Sequence, residues 1–231
     1  MDAASLHALN LARRARGAVV LVTDLDGGGS RVLLEGETVA GSLGDQVADA
    51  FRTGKPRAVE VAGGNLFINV YLPPPRLVVI GAVHISQALA QMAPVAGFDL
   101  TIIDPRTAFA TPERFSAVDL VADWPEEVLA KRPLDAYTAL VAVTHDPKID
   151  DFPLVEALNR ACFYVGALGS RKTHARRVDR LLAQGVSEQA IDRIAAPIGL
   201  DIGAATPQEI AVSILAQIVQ AYRRRDLVTG R

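Results

Sequence analysis

Arg76-Leu77-Val78-Val79-Ile80-Gly81-Ala82-Val83-His84-Ile85-Ser86 is the stretch that decides the fold. Arg76 to Ile80 is a near-continuous apolar run, as a strand buried on both faces requires. Gly81 supplies a turn. Ile85, Ala88, Leu89, Met92 and Ala96 then recur on one helical face, and Gly97 ends that helix. Buried strand, glycine turn and amphipathic helix make the opening of a βαβ unit.

The pattern repeats downstream. Leu100 to Ile103 reads as a strand closed by Asp104-Pro105, Val118 to Ala122 as a weaker strand, and Ala139 to Val143 and Phe163 to Val165 as two more. Between them, Pro125–Lys131, Leu154–Arg160, Thr173–Gln184 and Ser187–Ile194 read as helices. Strands alternating with helices predict an α/β, Rossmann-like, doubly wound parallel sheet with right-handed crossovers. The last helix opens at Thr206-Pro207-Gln208-Glu209, an N-cap, a first-turn proline and a capping-box glutamate, and runs to about Arg224. Its Ile210, Val212, Ile214, Leu215, Ile218 and Val219 cover most of its circumference, which calls for burial in the core or in a homodimer interface.

Upstream, Pro73-Pro74-Pro75 is a stiff extended connector. Before it lies a small α+β region. Met1–Arg16 reads as an amphipathic helix, Ala18–Thr23 and Arg31–Leu34 as a hairpin about Asp26-Gly27-Gly28-Gly29-Ser30, and Asp45–Arg52 as a helix ending near Gly54. Ala58–Val61 and Leu66–Tyr71 form a second hairpin about Gly63-Gly64-Asn65. The expected division is therefore a small N-terminal α+β domain over 1–72 and a Rossmann-like domain over 73–231.

Half of the 231 residues are hydrophobic and 22% are charged, which excludes a disordered chain. A net charge of −2 argues against a general nucleic-acid binder. The single cysteine, Cys162, excludes an internal disulfide and a multi-cysteine metal or iron–sulfur site, and its strand context reads as inert packing. The single Trp124 also reads as packing. With neither an 18-residue apolar run nor a signal-peptide core and cleavage site, the expectation is a cytoplasmic protein without a membrane span.

Ligands of open parallel sheets bind beyond the carboxyl ends of the strands. At the first strand end, only Gly81 survives of a dinucleotide fingerprint that would place glycine at 81, 83 and 86, or alanine at the last. Asp104 stands where a ribose-binding acid would, and Arg106 reads as an anion ligand or a solvated loop charge. His84 either polarises a ligand or caps its helix. At the fourth strand, Thr144-His145-Asp146-Pro147-Lys148 packs titratable groups together. His145 and Asp146 there either orient each other for proton transfer or belong to a polar turn in which Asp150 or Asp151 caps the next helix.

The fifth strand end, Gly166-Ala167-Leu168-Gly169-Ser170-Arg171-Lys172-Thr173, is the most informative. Two glycines admit a close approach, Ser170 or Thr173 caps a helix whose free N–H groups favour an anion, and Arg171 and Lys172 add positive charge. Arg176, Arg177 and Arg180 extend a basic face opposite Ala175, Val178 and Leu182. The expectation is a phosphate or similar oxyanion site. Asp201, between Gly199 and Gly203, contacts a ligand or holds its loop.

Several of these pieces in one order resemble the XdhC/CoxI family, the accessory proteins of xanthine dehydrogenase and related molybdenum hydroxylases. They are PPPRLVVIGAVHISQALA from Pro73, IDPRTAFATPERF from Ile103, THDPKIDD from Thr144, FYVGALGSRKTHARR from Phe163 and PIGLDIGAATPQEIAVSILAQIV from Pro197. The resemblance covers about 160 residues. Many relatives carry a cysteine in a glycine-rich segment before these; Gly41-Ser42-Leu43-Gly44 here has none.

The resemblance implies a non-catalytic carrier of molybdenum cofactor (molybdopterin). It would hold the pterin while a cysteine desulfurase supplies the terminal sulfido ligand, then pass it to an apo molybdenum hydroxylase. Arg171, Lys172 and Ser170 would grip phosphate, and His84, Thr144, His145 and Asp146 would line the pterin or metal side. Two other readings stay open: an NAD(P)- or FAD-dependent oxidoreductase, favoured by Asp104, and an interaction scaffold without a small ligand.

Overall fold

The computed structural model describes residues 2–61, 64–116 and 118–224; of these, Pro74–Tyr222 form one compact unit, and the residues up to Pro73 together with Arg223 and Arg224 form the other, so the expected second domain ends before residue 223. Met1, at the head of the expected first helix, and Gly63, in the expected second hairpin turn, lie outside the described residues.

In the first unit, α1 (Ala3–Arg14) starts at Asp2, whose carboxylate accepts the Ser5 N–H at 2.7 Å. β1 (Val19–Asp24) and β2 (Ser30–Leu34) pair as an antiparallel hairpin. α2 (Ser42–Thr53) ends at Gly54 in left-handed conformation, followed by β3 (Arg57–Val61) and β4 (Gly64–Tyr71). The sheet order is β2-β1-β4-β3, over a core of Val19, Val20, Leu33, Phe51 and Ile68.

The second unit opens with β5 (Arg76–Ile80), α3 (His84–Met92), β6 (Asp99–Ile103), β7 (Asp119–Val121) and α4 (Pro125–Lys131). β8 (Thr138–Ala142), α5 (Pro147–Asn159), β9 (Tyr164–Ala167) and α6 (Arg171–Ala183) follow. α7 (Glu188–Ile191), β10 (Ile194–Ala195) and α8 (Pro207–Arg224) complete it. The strands form one parallel sheet in the order β10-β9-β8-β5-β6-β7. Alternate strand residues face opposite layers, as the two-residue period demands. Leu77, Val79, Ile102 and Val141 pack under α3 and α8, whereas Val78, Ile80, Ile103 and Leu140 pack under α4, α5 and α6. The sheet is therefore covered on both faces, in the Rossmann manner.

Three elements differ from expectation. α5 begins at Pro147 rather than Leu154, because Asp146 caps it and Pro153 is carried inside the helix. α7 covers only Glu188–Ile191 of the expected Ser187–Ile194 helix, and Ile194, expected to be helical, instead opens β10, a strand of two residues. α8 buries Ala211, Ser213, Ile214 and Ile218 in the core, as one of the two expected readings requires, while Val212 and Val219 stay exposed. Its capping box forms as expected: Thr206 Oγ1 accepts the Glu209 N–H at 3.2 Å, and Glu209 Oε2 accepts the Thr206 N–H at 2.9 Å. Among the described residues no helix is long and apolar enough to cross a membrane.

Candidate functional site

β5 and β8 are neighbours at the centre of the sheet, and the chain leaves them in opposite directions, through β6 and β7 on one side and β9 and β10 on the other. The crevice beyond their carboxyl ends is thus the topological switch point. Gly81 ends β5 with φ +118°, and a Cβ there would lie 2.9 Å from Thr144 Cγ2 and 3.3 Å from Val143 Cγ2. The glycine is required for the approach of the two strand ends, so its role is packing at the crevice floor. Gly81→Ala is expected to lower stability by about 2–4 kcal/mol through backbone strain and displacement of Thr144. Urea unfolding checks this; a change below 1 kcal/mol would contradict the tight junction. Ser86, buried at the third fingerprint position, donates its hydroxyl to the Gly81 carbonyl at 2.5 Å. Val83 is the N-cap residue of α3, and His84 is exposed in its first turn.

Asp104 is fully buried. Its Oδ2 accepts the Ala82 N–H at 2.7 Å and Arg106 Nη2 at 2.8 Å; its Oδ1 accepts the Arg106 N–H and Nε, each at 2.9 Å. Burial disfavours the charge, but Arg106 and the two N–H groups outweigh it and hold the carboxyl below the usual carboxylate range. Both oxygens are committed within the protein, so the ribose-contact reading of Asp104 is corrected. Arg106 is likewise a clamp on Asp104 rather than a solvated charge.

At the end of β8, His145 has φ +64° and is exposed, and Asp146 caps α5 by accepting the Lys148 N–H at 3.0 Å. The Asp146 carboxylate is thus spent on the helix, not on orienting His145. Neither Asp150 nor Asp151 caps the helix; both lie buried within it. Asp150 Oδ1 accepts Thr144 Oγ1 at 2.7 Å and Oδ2 accepts the His145 N–H at 3.1 Å, which fixes the loop. Burial pushes the Asp150 carboxyl up to about 6, despite the opposing hydrogen bond from Thr144 and the charge of Arg177.

A raised carboxyl favours the folded state while protonated. Its contribution is fully present below the ordinary value near 4 and is lost as pH rises through about 6. Stability is expected to fall by roughly 3 kcal/mol from this group between pH 4 and 6, and Asp150→Asn is expected to flatten that slope. Urea midpoints across the pH range check it; an unchanged slope would refute it.

α6 begins at Ser170, whose Oγ accepts the Thr173 N–H at 3.2 Å. Gly169 has φ +138° and sits over Thr173. Gly166 is different: a Cβ there would lie 2.6 Å from Ile198 Cδ1, so it serves internal packing and not ligand approach, a correction to the expected two-glycine cradle. Arg171 and Lys172 are exposed at the helix start. The concave surface lies one turn further on. A cavity of about 160 Å³ between α5 and α6 is lined by His145, Pro147, Asp150, Asp151, Thr173, Arg176, Arg177 and Arg180.

Arg177 is 2% exposed, so the expected outward basic face is corrected: Arg177 and Leu181 point inward and Leu182 is exposed. Arg177 Nη2 donates to the Leu168 carbonyl at 3.0 Å, while its buried Nε has no hydrogen-bond partner. Burial lowers its pKa, against the pull of Asp150 and Asp151. Arg180 forks onto Asp151, Nε to Oδ2 at 2.6 Å and Nη2 to Oδ1 at 2.9 Å.

The structure therefore joins Gly81, Thr144 and Asp150 at the switch point, and brings Asp146 and Asp150 within electrostatic reach of Arg106. Asp201 is exposed on the loop before α8. Cys162 is buried, and burial pushes its thiol up to about 12, as inert packing requires. Trp124 is 47% exposed rather than packed away. Asp150 and Arg177 are the residues that sequence reasoning did not assign. The Asp146-Pro147 pair, an N-cap followed by a first-turn proline, would have put Asp150 in a helix. The spacing Thr173, Arg177, Leu181 would have turned Arg177 inward.

A family model described as the XdhC Rossmann domain matches residues 77–218. Among curated proteins, the chain is 34% identical over 165 residues to a protein of Bacillus subtilis named as a probable subunit of xanthine dehydrogenase, covering 71% of this chain and 48% of that protein. It is 30% identical over 159 residues to the molybdenum cofactor insertion chaperone PaoD of Escherichia coli, covering 68% and 43%. An uncharacterized Escherichia coli protein, YqeB, is 35% identical over 156 residues, covering 68% and 29%. The chain thus spans less than half the length of these relatives. A crystal structure described as a xanthine dehydrogenase from Bacillus halodurans superposes with a TM-score of 0.66 at 26% identity, over 97% of this chain and 66% of that one.

Proposed function

Because the chain belongs to the XdhC family, shown by the Rossmann-domain match over residues 77–218, we propose that it is a maturation factor for a molybdenum hydroxylase. It binds molybdenum cofactor as cargo at the switch-point crevice, holds it while a cysteine desulfurase supplies the terminal sulfido ligand, and delivers it to the apo-hydroxylase. The named activity of one relative, a molybdenum cofactor insertion chaperone, supports this reading.

The observation that carries it is Arg177, a buried guanidinium with an unpartnered Nε, lining a cavity beside the crevice. A buried donor left unpaired costs about 1–3 kcal/mol, so the position favours an anionic partner. The cargo is anionic through its phosphate and dithiolene. Exposed Arg171 and Lys172 draw it to the rim, and the α6 N-terminus adds its dipole. Thr144 and His145 face the pterin side, on a loop that Asp150 fixes. Among the described residues no three His, Cys, Asp or Glu side chains stand together as a metal site needs.

The test is maturation. A molybdenum hydroxylase produced with this chain is expected to gain activity, and without it to accumulate as protein lacking the terminal sulfido ligand. Equal specific activity and equal sulfido content in both cases would refute the proposal.

A further inference from the structure

We propose that the cavity between α5 and α6 seats a tetrahedral oxyanion group, a terminal phosphate above all, on Arg176 and Arg177, and that Asp150 takes up one proton when the anion enters. The inference deepens the cargo reading above and depends on it only for the source of the phosphate.

The charges facing the cavity decide this. Arg180 and Asp151 neutralise each other in a two-bond fork. Arg176, Arg177 and Asp150 remain. Arg177 lines the cavity and has a buried Nε with no acceptor, and Arg176, also lining it, is exposed. Asp150 is 2% exposed, and both of its oxygens already accept hydrogen bonds, from Thr144 and His145. A dianion placed on the two arginines meets this carboxylate across the same small space. Like charges in a shared buried site do not both stay ionised. The carboxylate is the group that can yield, by binding a proton.

The other charged groups around Asp150 balance rather than relieve this conflict. Its own helix contributes Asp151, and Asp146 caps it. The preceding loop contributes His145. α6 contributes the arginines and His174, which lies 3.5 Å from Arg177 Nη1. From the loop after β6 comes Arg106, already clamped on Asp104. Burial already pushes the Asp150 carboxyl up to about 6, so the proton is available near neutral pH. Loss of that proton expels the anion, which gives the carrier a release step.

Sulfate is the probe, because its charge is constant between pH 5 and 8. Calorimetry on the full chain at fixed ionic strength is expected to show sulfate affinity falling about tenfold per pH unit between pH 6.5 and 7.5, the slope of one linked proton. Asp150→Asn is expected to abolish the slope and to bind sulfate at least tenfold more tightly than the wild type at pH 7.5. Arg176→Gln, an exposed change that spares the fold, is expected to weaken binding at every pH. His145→Gln and His174→Gln are expected to keep the slope. Absence of sulfate binding, a slope that survives in Asp150→Asn, or one that vanishes with either histidine would overturn the proposal.

A phosphorylated pterin, the same pterin dephosphorylated and inorganic phosphate then separate the sources. Tighter binding of the phosphorylated pterin than of either other probe supports both readings. If it binds no better than inorganic phosphate, the oxyanion seat stands and the cargo reading fails. If both pterins bind equally and inorganic phosphate does not bind, the seat fails and the cargo reading stands.

Discussion

Asp104→Ala is expected to destabilise the second unit by about 3 kcal/mol. The carboxylate is fully buried and accepts four hydrogen bonds, from Ala82, the Arg106 backbone and two nitrogens of the Arg106 guanidinium. Breaking a buried pair by removing one partner costs about 3–5 kcal/mol. The lower end applies because Arg106 is 32% exposed and can turn toward water. Asp104→Asn keeps one acceptor and is expected to cost about half as much.

The pH dependence has a definite sign. A depressed carboxyl contributes stability that is present above its ordinary value near 4 and is lost as pH falls through its folded value. The gap between wild type and Asp104→Ala is therefore full at pH 7 and closes in acid. This is opposite in direction to the Asp150 effect, and the two are separable in one pH series. Trp124, the single tryptophan, adjoins α4 in the same unit and reports urea unfolding. A gap below 1 kcal/mol at pH 7 would contradict the clamp.

Arg177→Met is expected to reduce affinity for the phosphorylated cargo on the order of 100-fold, or about 2.7 kcal/mol. A buried, charge-assisted contact is worth about 2–5 kcal/mol when one side is truncated. Methionine retains the apolar stem, which limits the packing loss. The change also removes the positive charge that holds Asp150 down, leaving that carboxyl still more readily protonated. Arg177→Lys restores charge without the planar fork and is expected to recover part of the affinity. Binding within threefold of wild type in Arg177→Met would remove Arg177 from the site.

Much of this fold was legible because its signals are redundant. The apolar run Leu77–Ile80 and its successors carry both-face burial in their composition, and the final helix announces itself through Thr206, Pro207 and Glu209. What escaped was local competition. The expected helix began at Leu154, whereas Asp146 and Pro147 had already started one and Pro153 lies inside it. That error hid Asp150, because an acid placed in a loop reads as a cap and an acid inside a helix must be explained by what it faces. Arg177 escaped for a related reason. The helix face was set by Leu182, but Leu181 is the buried leucine, and a shift of one residue rotates the face by 100°. Gly166 looked like a ligand cradle because sequence cannot reveal that Ile198 fills the space above it.

Whether this chain carries molybdenum cofactor is read out by mass spectrometry of small molecules released from the protein purified out of cells that make the cofactor. A phosphorylated pterin with molybdenum near one equivalent per chain, sharply reduced in Arg177→Met, is the expected result. Wild-type protein that releases neither pterin nor molybdenum, although a hydroxylase in the same cells is loaded, would contradict it.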